Sequence, residues 1–229
     1  MMRSFARGLA LLCAVVVVAS PAAAQDARLS ARLDARTAAA VTRVLDSART
    51  QALPTEPLVQ KALQGAAKRA ASERILTAVR ELRAELSLAR GSLGARSTEA
   101  ELVAGAGALH AGIPAAVLTR VRSVRGNRSV TVAIGTLADL VARGVPVDGA
   151  VSAILALAGR GAADAEIVAF SSQVGRDITA GAPPAVAAKV RAGGANAQGA
   201  GPVTTPGRPG NAPSPAGGRP APRVPPERP

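Results

Sequence analysis

One short pattern recurs along this chain and limits what it can fold into. Gly112-Ile113-Pro114, Gly144-Val145-Pro146 and Gly181-Ala182-Pro183 each follow a stretch whose apolar residues have helical spacing. Glycine takes the left-handed conformation that closes a helix, the next residue packs back, and proline opens the following helix with φ already set. Ala89-Arg90-Gly91 and Gly159-Arg160-Gly161 share the first half of the pattern, and Lys68-Arg69-Ala70 is a degenerate version of it. Joints at 70, 91, 112, 144, 161 and 181 leave room for one helix and one turn each, at steps too irregular for a strict solenoid repeat. The expected fold is all-α: a compact array of short helices, made of helical hairpins joined by Gly-x-Pro turns.

The stretches between the joints support that reading. Leu29, Leu33, Val41, Val44 and Leu45 form one stripe, ended by Leu53-Pro54. Thr55-Glu56-Pro57 starts a helix carrying Leu58, Val59, Ala62 and Leu63. Ser72 is placed to cap the next helix, along which Ile75, Leu76, Val79, Leu82 and Leu86 make one face. Thr98 and Glu101 have capping-box spacing. Later stripes are Val117/Leu118/Val121, with Val124 continuing it, Ile134/Leu137/Leu140/Val141, Val151/Ile154/Leu155, Ile167/Val168/Phe170/Val174 and Val186/Val190.

The two ends differ from this middle. Arg3 and Arg7 precede the apolar run Leu9–Ala19, which is too short to span a bilayer, and Ala22-Ala23-Ala24 offers the small residues of a signal-peptidase site. Residues 1–24 are therefore expected to be an export signal, cleaved before Gln25. From Ala192 the chain turns Gly/Pro-rich and holds no Leu, Ile or aromatic residue, the composition of a disordered tail. The expected division is a signal at 1–24, a helical domain at 25–191 and a disordered Pro/Gly/Arg-rich tail at 192–229. The product is expected to be periplasmic or extracellular, with no integral membrane segment after cleavage.

Composition narrows the chemistry. The only Cys is Cys13, inside the expected signal, so the exported chain forms no disulfide. There is no Trp or Tyr and a single His. His110 stands just before Gly112, where an imidazole can bond the last free carbonyls of a helix. Glu81 and Glu85, four apart beside Arg80 and Arg83, read as a solvated helix face. No nucleophile elbow or phosphate loop is present, and Gly91-Ser92-Leu93-Gly94 reads as a loop between helices. The expectation is a protein that is not an enzyme and needs no metal or cofactor.

The formal net charge of +13 leaves anionic partners open. Its densest run is Arg120, Arg122, Arg125 and Arg128, the candidate anion-binding residues. With Val117, Val121 and Val124 inward, Arg120, Arg122 and Arg125 would emerge on the exposed side and Arg128 in a Gly-Asn turn. The joints are similar in register to helix-hairpin-helix DNA-binding modules: Leu118 and Val121 follow Gly112, and Ala150 and Ala153 follow Gly144. They depart where that motif has its second glycine, because Pro114, Pro146 and Pro183 have no N–H to offer a phosphate. No residue role carries over. Two functions remain: an interaction or structural module of the cell envelope, or a binder of anionic polymers (lipopolysaccharide, wall polymer or DNA) through basic helix ends. The partner is accordingly an envelope protein or an anionic envelope polymer.

Overall fold

The computed structural model describes residues 21–199; the expected signal up to Ser20 and the tail beyond Gly199 lie outside them. Among the described residues there are ten helices and no strand. They are α1 (Pro21–Ser30), α2 (Ala35–Thr50), α3 (Glu56–Ala67), α4 (Ser72–Leu93) and α5 (Glu99–His110). Then come α6 (Ala115–Arg125), α7 (Thr131–Ala142), α8 (Val147–Gly159), α9 (Asp164–Thr179) and α10 (Pro184–Gly199). The last helix runs past Ala192, where composition alone had marked the start of the tail.

The joints have the geometry that their residues imply. Gly112, Gly144, Gly161 and Gly181 all hold positive φ, between 77° and 98°. Arg69 (φ 53°) does the same work without glycine, and so does Ala52 (φ 51°), ahead of Leu53-Pro54. At each of these joints the following residue donates its N–H to a carbonyl five residues back at 2.9–3.0 Å, from Leu53 to Ala48 through Ala182 to Asp177. That is the Schellman closure, and its apolar residue is buried at Leu53, Ile113, Val145 and Ala162. One expected joint moves. α4 continues through Gly91 to Leu93 and is closed by Gly94 (φ 92°), so the segment read as a loop is the last helical turn and its cap.

One cap also differs from expectation. Ser72 is the first residue of α4 rather than its cap, and its hydroxyl donates instead to Asp34 Oδ2 at 3.2 Å. Asp34 caps α2, accepting the Thr37 N–H at 2.9 Å and the Thr37 hydroxyl at 2.6 Å. The capping box at Thr98 and Glu101 is present in both halves.

The even-numbered helices lie side by side in one layer. α5, α7 and α9 form the other, which α1 and α3 begin. Each helix packs mainly on its neighbours one and two places along the chain, so the array grows stepwise, with its core between the layers. Neighbours within a layer run parallel: Arg83 donates to Ser47 Oγ and Ser87 to Gln51 Oε1, matching the Ser72–Asp34 bond at the helix starts. Small faces let layers close up. A Cβ on Gly105 of α5 would stand 2.9 Å from the Ala89 Cβ of α4.

Three stripes are rotated from their expected setting. On α6 the buried positions are Val117, Leu118, Val121 and Arg125, and Val124 is 44% exposed. The face advances by four after Val121, not three, and carries a charged residue inward. On α10 it is Ala187 and Ala188 that are buried, with Val186 and Val190 outside. On α9 Val168 is exposed beside buried Ile167 and Phe170. Apolar identity alone cannot choose between adjacent faces of a helix in an alanine-rich chain, because alanine is small enough for the close approach.

Candidate functional site

The turns from even to odd helices share one edge of the array, and arginines tie them together. Arg90 of α4 donates from Nη2 to the Ala52 carbonyl at 2.8 Å and from Nη1 to the Ala95 carbonyl at 2.7 Å. It bridges the α2–α3 joint to the α4–α5 turn. Arg122 Nη2 lies 2.7 Å from Glu101 Oε1, and its Nη1 reaches the Arg128 carbonyl at 3.2 Å. Arg125 donates from Nε to the Ser129 carbonyl at 2.8 Å and from Nη2 to Asp164 at the start of α9. Arg128 donates to the Gly161 and Ala162 carbonyls at 3.0 and 3.2 Å, at the end of α8.

The four arginines of the predicted anion-binding run have different settings. Arg125, expected outside, is 5% exposed and paired. Arg122 and Arg128 are committed to protein oxygens, so they neutralise turns and a carboxylate of this chain. Arg120 alone is exposed with no hydrogen bond or ion pair among the described residues. Arg122 does line a cleft of about 670 Å³ with Arg96, Asn127 and Ser129, but Glu101 lies in the same wall.

Glu101 is the centre of this edge. One oxygen accepts the Thr98 N–H at 3.0 Å and the other the buried Val130 N–H at 3.1 Å. Burial pushes its carboxyl upward. The bonds from Arg122, Thr98 and Val130 outweigh that and hold it below the usual carboxylate range. A single side chain thus joins the start of α5, the end of α6 and the start of α7.

His110 does not bond helix-end carbonyls. Its Nδ1 lies 2.9 Å from Glu85 Oε1, and the His110 side chain is 67% exposed. Glu85 is therefore part of an α4–α5 contact rather than a fully solvated face. Among the described residues no three His, Cys, Asp or Glu side chains form a group able to hold a metal. No described helix is long and apolar enough to cross a membrane. At Gly112 the two N–H groups of the joint are used within it, bonding the Leu109 and Ala108 carbonyls at 3.0 Å. The similarity to DNA-binding hairpins thus stops at backbone shape.

The sequence did not single out a second basic region. Arg36 and Arg43 on α2 and Arg80 on α4 line one groove of about 440 Å³. They are far apart in the chain, and only the parallel packing of α2 on α4 brings them together. Comparison with protein-family models, with curated proteins and with solved structures found no match to this chain.

Proposed function

We propose that this is an exported, non-enzymatic helical module that acts by contact in the cell envelope, in the periplasm or outside the cell. The observation that carries the reading is that Gln25 and Asp26, the first residues after the expected cleavage site, are tied to the helices that follow. Gln25 donates to Thr55 Oγ1 at 3.1 Å and accepts from Arg49 at 2.8 Å, and Asp26 accepts from Thr42. Cleavage before Gln25 would free an end already held by α2 and the start of α3, and would cost the array none of these contacts. The non-enzymatic part rests on His110, the one imidazole, which stands exposed with a single carboxylate beside it.

N-terminal sequencing of the protein recovered from outside the cytoplasm tests the reading. It should start at Gln25. A chain that keeps Met1 and stays with the cytoplasmic fraction would overturn it. An anionic polymer is the second reading of the partner, favoured by the arginines that this fold leaves without a carboxylate.

A further inference from the structure

We propose that the groove between α2 and α4 binds the phosphate groups of a linear phosphate polymer, with Arg43 and Arg80 as its centre. The proposal takes from the second reading above only that the partner is anionic. The Ser72–Asp34, Arg83–Ser47 and Ser87–Gln51 bonds fix how the two helices are aligned. That alignment sets Arg80 opposite Arg43, one turn from Arg83. Among the described residues none of these three guanidinium groups pairs with a carboxylate, and Arg83 meets only the Ser47 hydroxyl.

The carboxylates nearby are taken or displaced. Asp34 is held by Thr37 and Ser72, and the Thr37 bonds foremost keep it below the usual carboxylate range. Asp46 is bonded by Arg49 at 2.6 Å. Glu73 lines the groove, but it sits about 10 Å along the α4 axis from Arg80, level with Arg36. Like charges thus face each other at the Arg43–Arg80 level, and among the described residues neither guanidinium is paired with a carboxylate, exposed Glu81 beside Arg80 included. Phosphate suits that gap better than carboxylate. One bidentate arginine takes the best-placed lone pair on each oxygen of a carboxylate, whereas successive phosphates of a polymer offer separate oxygens to guanidiniums on both sides. Arg36, two turns from Arg43 on α2, lies at the end of the groove that Asp34 and Glu73 also line, so the uncompensated stretch is the Arg43–Arg80 level.

The test is titration of the purified protein with short-chain inorganic polyphosphate at two ionic strengths, with polyglutamate as a carboxylate control. Arg43→Gln/Arg80→Gln should weaken polyphosphate binding at least tenfold and lessen its salt dependence by about two released counterions. Arg176→Gln/Lys189→Gln, which removes equal charge at exposed positions on α9 and α10, should weaken it less than threefold. Polyphosphate should also raise the melting temperature of the parent protein and not that of the groove variant. Equal losses in both variants, equal affinity for polyglutamate, or no binding in low salt would each overturn the site. None of these results bears on export, which the N-terminal sequence decides separately.

Discussion

A valine at position 144 would have to hold φ 87°, a conformation that β-branched residues almost never adopt. Its Cβ would also stand 3.5 Å from Pro184 Cγ at the head of α10. Gly144→Val should therefore destabilise by at least about 1 kcal/mol, read as a lower denaturation midpoint. An unchanged midpoint would contradict the joint geometry. Arg69 and Ala52 invite the opposite change, since each holds a positive φ without being glycine. Ala52→Gly should be neutral or stabilising by up to about 1 kcal/mol in the same measurement, with glycine's greater freedom in the unfolded chain as the only opposing effect. At Arg125 the side chain is buried and bonds both Asp164 and the Ser129 carbonyl. Its loss should cost about 2 kcal/mol, below the range for fully buried pairs because Asp164 is half-exposed and can hydrate.

At the scale of elements, Glu101 makes stability depend on pH. Its folded pKa lies below its unfolded one, so its contribution is complete above the ordinary value of about 4.3 and is lost as pH falls through the folded value. Glu101→Gln should lower stability by about 2 kcal/mol near neutral pH and flatten the loss between about pH 4.3 and lower values, as measured by denaturation at a series of pH values. The helices themselves were legible in the sequence. Periodicity, the Gly-x-Pro joints and the capping box at Thr98 and Glu101 each depend on residues within one turn of each other. What could not be read locally was the setting of α6, where burial of Arg125 depends on Asp164 of α9. The role of Ser72 was hidden for the same reason, because its partner Asp34 belongs to another helix. Arg36, Arg43 and Arg80 look like scattered charges until α2 and α4 lie parallel.

For the whole molecule, stepwise packing means that each helix is stabilised chiefly by its nearest neighbours. Among the described residues α1 packs mainly on α2 and α3, whereas α4 meets α2, α3, α5 and α6. Amide hydrogen exchange should therefore be slowest in α4, α5 and α7 and fastest in α1, with protection graded along the array. Uniform protection from α1 to α10 would mean a single cooperative block instead. The arginines at the turns are what couple one step to the next, through Arg90, Arg122, Arg125 and Arg128. Equilibrium denaturation of the variant carrying Arg120→Gln, Arg122→Gln, Arg125→Gln and Arg128→Gln, beside Arg120→Gln alone, measures that coupling directly. The fourfold variant should lose at least about 3 kcal/mol, because three of its replacements leave turn carbonyls or carboxylates without partners, and Arg120→Gln should change nothing measurable. A fourfold variant as stable as the parent chain would show that these arginines are solvated charges and do not hold the array together.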